Sequence, residues 1–277
     1  MIESVSDTAR WVAVYRAMES ARPDALFRDP YAARLAGERG FAVADLMDRR
    51  RQAAWAMIVR TQVFDEILLA AVAAGTDLVL NLAAGLDARP WRLALPPALR
   101  WVDVDLPGIL DYKTRALQGE APRCRYEAVP LDLRLRPERQ ALFARLAGEA
   151  RRALIVSEGL LVYLDPADVA SLAQDLHAPA SFHSWLFDLS SPLLLRMMRP
   201  RWGRSLQQGD AAFRFAPAEG TAFFAPFGWR EAEHHPQLAE AERLHRGTPG
   251  LGLLKLGLRI FSPRDLRRFA AFVRLER

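Results

Sequence analysis

Asp77-Leu-Val-Leu-Asn-Leu-Ala-Ala-Gly85-Leu-Asp87 decides the fold of this 277-residue chain. A short, almost continuous apolar run that ends in glycine is the pattern of a strand buried on both faces, followed by a tight turn. Four further segments of this kind follow: Arg100-Trp-Val-Asp-Val104, Arg125-Tyr-Glu-Ala-Val129, Ala153-Leu-Ile-Val-Ser157 and Ser184-Trp-Leu-Phe-Asp188. Segments of helical character separate them, at Pro107–Leu117, Pro137–Ala150 and Pro166–Leu176. Strands alternating with helices at this spacing predict an α/β fold with a doubly wound, mainly parallel sheet.

Upstream, residues 8–73 read as helical. Trp11, Val12, Val14, Tyr15 and Met18 recur at helical spacing up to Pro23, and one long helix is expected from Asp45 to Ala74, closed by Gly75. Downstream, 190–220 is a basic and apolar stretch of helical character. Strand-like segments are expected near Phe223–Glu231, Leu256–Phe261 and Phe272–Leu275, as a C-terminal hairpin completing the sheet. The expected organisation is one domain over 1–277, with a helical lid over 1–74, a ligand-binding core over 75–189, and a substrate-side insertion with the last strands over 190–277.

Composition narrows the function. Hydrophobic residues make up 51% and charged residues 26%, the balance of an ordinary globule. A single cysteine, Cys124, excludes an internal disulfide and a cysteine-based zinc site; no metal site is expected, and the reducing cytoplasm is the compartment it suits. Met-Ile-Glu-Ser lacks a signal profile, and the most apolar window, Ile67–Leu86, is interrupted by Thr76, Asp77 and Asn81, so no membrane association is expected. The net charge of +5 comes almost entirely from arginines dispersed among acids, which reads as compositional bias with no nucleic-acid partner.

In an open parallel sheet, ligands bind at the carboxyl ends of the strands where the winding reverses. The first strand ends at Gly85, whose backbone can lie against a ligand, and Asp87 follows it. Asp105 comes 20 residues after that glycine, where a carboxylate can accept from both hydroxyls of a ribose, with Asp103 as the alternative. Asp132-Leu133 follows the third strand and offers an acceptor and an amide for an adenine edge. Glu158-Gly159 follows the fourth. Acids in place of a G-x-G-x-x-G loop suit a nucleoside without phosphates better than a dinucleotide, and S-adenosylmethionine fits, with Arg60 as the fork for its carboxylate.

At these residues the chain resembles the leucine carboxyl methyltransferase superfamily, and more closely its bacterial, polyketide-type O-methyltransferase branch. The likeness runs in order through Thr8-Ala-Arg-Trp-Val-Ala13, Arg16–Ser20, Phe27-Arg-Asp-Pro-Tyr-Ala32 and Ile58-Val-Arg-Thr-Gln-Val-Phe64-Asp. It continues through Val79–Pro90, Trp101–Pro107, Tyr112-Lys113, Asp132-Leu-Arg134 and Ser157–Leu164; beyond Ser190 only Gly228-Trp-Arg230 matches. The resemblance implies a class I methyltransferase (Rossmann-like) fold with seven strands, one of them antiparallel. It further implies that Arg60 holds the methionine carboxylate of S-adenosylmethionine, Gly85 lines the cofactor, and Asp105 holds the ribose. Asp132 and Leu133 would hold the adenine, and Glu158 the amino group. Ala83 and Ala88 depart from the family's usual glycine and hydroxyl residue, which implies weaker cofactor binding.

Methyl transfer from a sulfonium is an in-line displacement, for which alignment alone supplies about 7–11 kcal/mol. A carboxylate acceptor needs no base and a hydroxyl benefits from one. None of the histidines (177, 183, 234, 235, 245) falls in a motif, His234-His235 reads as a solvated loop pair, and no catalytic base is assigned. Tyr163 and Tyr15 are the candidate substrate contacts, with Trp11 and Tyr31 shaping an apolar pocket for a small-molecule or carrier-bound acceptor. A non-catalytic S-adenosylmethionine-binding sensor or scaffold is the alternative.

Overall fold

The computed structural model describes residues 5–47, 54–197, 213–247, 252, 257 and 269–277. Seven strands form one sheet: β1 (Leu78–Leu82), β2 (Arg100–Asp105), β3 (Arg125–Pro130), β4 (Ala153–Ser157), β5 (Phe182–Ser190), β6 (Arg230–Pro236) and β7 (Ala270–Glu276), in the spatial order β3-β2-β1-β4-β5-β7-β6. β1 to β5 are parallel, and β7 runs antiparallel between β5 and β6. The chain leaves β1 toward β2 and β3, then returns to β4 on the other side, so the winding reverses between β1 and β4.

The strand alternation sorts the core into two layers. Leu78, Leu80 and Leu82 of β1, with Val102, Val104 and Ile155, pack on one face beneath α6 (Arg136–Glu149) and α7 (Pro166–His177). Val79, Trp101, Leu154 and Val156 face the other way, against Val59, Val63, Phe64 and Ile67 of α3 (Ala54–Ala73). Each such aliphatic or aromatic side chain contributes about 1.5–3 kcal/mol on burial, so every residue of β1 and β4 being buried fixes these strands at the centre.

The N-terminal region divides. α1 (Val5–Ser20) and α2 (Ala32–Met47) share a core with Leu86, Ala88 and Trp91 of the loop and short helix α4 (Arg89–Arg92) after β1, and with Ile109 and Leu117 on and just beyond α5 (Pro107–Ala116). α3 contributes Ala54 and Ile58 to this core, and Val59, Val63, Phe64, Ile67 and Leu68 to the sheet sandwich. The single helix expected over Asp45–Ala74 overlaps two helices, α2 and α3, and positions 48–53 between them lie outside the described residues.

The expected strand over Phe223–Glu231 is corrected: Gly220–Phe227 is 3-10 helical, and β6 begins only at Arg230. Pro226 has no N–H to give a sheet, and Gly228, at φ 92°, turns the chain into β6. Leu256–Phe261 lies outside the described residues apart from Gly257. Gly228 is also packed so closely on the His177 ring that a Cβ would sit 2.5 Å from it, while Trp229 donates from Nε1 to the Ala173 carbonyl at 3.0 Å. Gly228→Ala therefore destabilises the protein by about 1–2 kcal/mol from the left-handed backbone alone, and by more from the contact. Gly108→Ala, in open space on α5, is neutral or slightly stabilising. Urea unfolding of the two variants checks this; equal stabilities would contradict it.

Candidate functional site

The loop between β1 and α4 forms the floor of the site. Gly85 has φ 51°, and its N–H donates to Asp105 Oδ2 at 2.6 Å, binding the end of β1 to the end of β2. Asp105 also accepts from the Leu106 N–H at 2.7 Å, and its backbone carbonyl accepts from Leu131 N–H, which brings in the end of β3. Burial raises the Asp105 carboxyl above its ordinary range, and the two amides only partly offset it. Ala83 sits at φ 52°, a conformation ordinarily left to glycine. The departure noted in the sequence is thus a strained position of the backbone itself.

Helix α1 covers this floor. A Cβ on Gly85 would meet Ala9 of α1 at 3.3 Å, and Arg16 donates to the Leu86 carbonyl at 2.6 Å and to Asp29 at 2.9 Å. Asp103 is corrected as an alternative ribose acceptor. It is wholly buried, and its carboxylate accepts from Lys113 (2.6 Å), Tyr126 (2.8 Å), Trp101 (2.8 Å) and Asn81 (3.0 Å), which makes it a structural anchor with its acceptor sites taken.

Toward β4 lies a cluster of charges. Arg60 of α3 donates from Nε to Glu158 Oε1 at 3.0 Å and from Nη1 to Asp188 Oδ2 at 3.1 Å. Arg89 donates from Nη1 to Glu158 Oε2 and to Asp87 Oδ2, both at 2.8 Å, and from Nε to Asp65 Oδ1 at 2.6 Å. Gly159 N–H donates to Asp188 Oδ1 at 2.6 Å, which ties β4 to β5. Arg92 continues the chain of ion pairs from Asp65 (2.7 Å) toward Asp29 (3.9 Å), and so to Arg16 on α1. Burial raises Glu158, but Arg89 and Arg60 outweigh it and hold its carboxyl below the usual range; Asp87 is likewise held well below its usual range, burial being overcome by Arg89 and Lys113.

Of the residues expected from sequence, Arg60 and Glu158 meet directly, Asp87 is joined to Glu158 only through Arg89, and Gly85 joins Asp105. Asp132 lies past β3 with a partly exposed side chain gripped by Arg134 (2.7 Å), while Leu133 packs against the main core and its carbonyl accepts from Arg139 at 2.8 Å. Tyr163 closes a 3-10 turn (Leu161–Tyr163) after β4; its ring lies 5.5 Å from Phe213, and burial pushes its phenol up to about 12 despite Arg60. Tyr15 is fully buried edge-on to Trp11 at 5.6 Å, inside the core shared by α1 and α2. The reading of His234 and His235 as loop residues is corrected: both lie on β6, beside Glu231 and Glu240 respectively. Arg89 and Asp188 had no role assigned from sequence. Arg89 stands in the quoted Gly-Leu-Asp-Ala-Arg motif and Asp188 at a strand end, so position was the available signal. An open groove of about 570 Å³ between α2 and α5, lined by residues such as Arg34 and Arg115, contains none of these residues. Among the described residues no helix is long and apolar enough to cross a membrane.

The family model for leucine carboxyl methyltransferase matches residues 9–177. The chain belongs to the leucine carboxyl methyltransferase family. Among relatives of this family member, a Mycolicibacterium gilvum protein provisionally named an S-adenosyl-L-methionine-dependent methyltransferase is 39% identical over 185 residues, 60% of this chain and 59% of that protein. One from Streptomyces avermitilis, named in the same way, is 31% identical over 240 residues, 82% and 83% of the two chains. The first match thus spans less than two thirds of the relative's length. A crystal structure of a DUF574-family protein from Streptomyces avermitilis shares the fold at a TM-score of 0.66 and 14% identity, covering 98% of this chain and 97% of that one. A provisionally named methyltransferase from Thermobifida fusca does so at 0.60 and 18%, covering 89% and 92%. The family member's sheet is therefore the expected class I methyltransferase sheet.

Two measurements test the site's energetics. Ala83→Gly relieves the left-handed strain and raises stability by about 1 kcal/mol; a urea midpoint that is unchanged or lower contradicts this. Glu158 and Asp87 titrate lower in the folded protein than their unfolded values of 4.5 and 3.8. Their stabilisation is therefore complete above those values and is lost as pH falls below them. Unfolding free energy followed from pH 6 to 3 should drop, and Glu158→Gln should flatten the drop by up to about 1.4 kcal/mol per pH unit.

Proposed function

We propose that the protein is an S-adenosylmethionine-dependent methyltransferase that moves a methyl group to an oxygen, hydroxyl or carboxylate, of a small-molecule or carrier-bound acceptor. The observation that carries this reading is a buried guanidinium, Arg60, 3.0 Å from the partly exposed carboxylate of Glu158 at the carboxyl end of β4, in a chain whose β1 and β2 ends are joined through Gly85 and Asp105. Such a pair complements a zwitterion: the cation suits an amino acid's carboxylate and the anion its ammonium. The carboxylate of Asp105 offers acceptors for ribose hydroxyls, and no phosphate-binding glycine fingerprint accompanies it. These donors and acceptors fit an adenosyl amino acid.

In this reading Arg60 and Glu158 bind the methionine end, Gly85 and Asp87 line the adjoining loop, Asp105 takes the ribose, and Asp132 with the Leu133 amide borders the adenine. When bound, the sulfonium supplies an activated methyl group. The chain's own work is alignment and exclusion of water: α1, held to the loop by Arg16, roofs the floor formed by Gly85. Tyr163, a neutral phenol at pH 7, can donate a hydrogen bond to an acceptor oxygen, and Phe213 gives that side an apolar wall. Tyr15 supports the wall from within the lid. A carboxylate acceptor already carries the lone pair that attacks, so this arrangement suits it without a base; methyl transfer to matched carboxylate and hydroxyl acceptors distinguishes the two.

Calorimetry tests the binding site. S-adenosylhomocysteine is expected to bind and NAD is not. Asp105→Ala is expected to weaken S-adenosylhomocysteine by about 1.5–3 kcal/mol, the loss of hydrogen bonds to a charged group. Arg60→Lys, which keeps a cation but not the fork, is expected to weaken S-adenosylhomocysteine while leaving adenosine unchanged. Binding of NAD alone would overturn the proposal, and equal losses for both ligands would remove Arg60 from the methionine end.

A further inference from the structure

We infer that Arg89 is a positioning residue that aims the Glu158 carboxylate at the ammonium group of the bound ligand, acting through Glu158 and making no contact with the ligand itself. The inference rests on the cofactor reading above. Arg89 is 2% exposed, so it presents no surface to a ligand. Its guanidinium is used up by the protein: Nε on Asp65, Nη1 shared between Asp87 and Glu158, and Nη2 toward the Thr61 carbonyl at 3.5 Å. Three carboxylates from three segments, α3, the loop after β1 and the end of β4, thus converge on one side chain.

Glu158 is held differently. Each of its oxygens accepts one hydrogen bond, Oε1 from Arg60 and Oε2 from Arg89, and its side chain remains 15% exposed. A carboxylate oxygen has room for a further donor, so Glu158 is clamped in orientation yet still able to accept from an ammonium. A lysine at position 89 could supply charge but not the planar fork that reaches Asp65 and Glu158 together. Pro90, within the first turn of α4, fixes the backbone from which Arg89 projects.

The charges facing Glu158 are Arg89 from α4, Arg60 from α3 and Asp87 from the β1–α4 loop; beyond them stand Asp65 on Arg89 and Asp188 on Arg60. Without Arg89, Asp87 and Glu158 lose the cation they share. Their mutual repulsion then favours a protonated Glu158, which no longer carries the charge that pairs with an ammonium.

The test is calorimetric titration of S-adenosylhomocysteine and of adenosine, which lacks the amino-acid end, into the full chain and into Arg89→Met and Arg89→Lys, at about pH 7.5 and about pH 5.5. The wild-type protein is expected to bind S-adenosylhomocysteine equally at both. Arg89→Met is expected to bind it roughly tenfold more weakly at the higher pH and more weakly again at the lower, with adenosine unchanged. Arg89→Lys, which keeps the charge and the fold, is expected to lie between, also with adenosine unchanged. The inference is overturned if either variant binds S-adenosylhomocysteine as the wild type does at both pH values, or if S-adenosylhomocysteine and adenosine weaken by the same factor. Failure of the wild-type protein to bind S-adenosylhomocysteine at all would instead defeat the cofactor reading, and this inference with it.

Discussion

Two arginines clamp one glutamate at the carboxyl end of the central strands, and the site is organised around that clamp. Arg60 and Arg89 reach Glu158 from α3 and α4, and through Asp65, Asp87 and Asp188 they bind the ends of β1, β4 and β5 to the helix packed beneath them. Removing one partner of such a buried pair costs about 3–5 kcal/mol because the other is left uncompensated. The arrangement is therefore stiff, and a stiff arrangement of opposite charges is what recognition of a zwitterionic ligand end requires.

The clamp works because the sheet brings its parts together. Strict alternation along β1, β2 and β4 assigns each apolar side chain to one of two cores, which fixes register. Once register is fixed, the residues just past each strand arrive at one edge. Asn81, opposite Asp103 in the β1–β2 pairing, marks where the apolar strand gives way to polar contacts: its amide reaches both Asp103 and Asp87. The same ion-pair chain runs outward through Arg92 and Asp29 to Arg16, so helix α1 is tied to the charge cluster.

Much of this was legible in the sequence, because buried parallel strands announce themselves as apolar runs and a strand-end acid stands out against them. β1 to β5, Gly85, Asp105 and Glu158 were readable on that ground, Arg60 as the cation a ligand carboxylate would need, and the family resemblance extended the reading to seven strands. What was not legible depended on partners distant in sequence. Spacing and strand position rank Asp105 ahead of Asp103, but only the convergence of Lys113, Tyr126 and Trp101 shows Asp103 to be a buried anchor. Arg89 is one of many arginines until it is seen facing three carboxylates. The helix at Gly220–Phe227 resembled a strand because its phenylalanines are apolar, and α2 was hidden because its helical pattern ran into that of α3.

The most direct measurement is a crystal structure of the protein with S-adenosylhomocysteine bound. The account predicts the ribose hydroxyls on Asp105, the ligand carboxylate on Arg60 and its ammonium on Glu158, with Arg89 still holding Glu158 from behind. A ligand bound elsewhere, or one whose amino-acid end points away from Arg60 and Glu158, would contradict it.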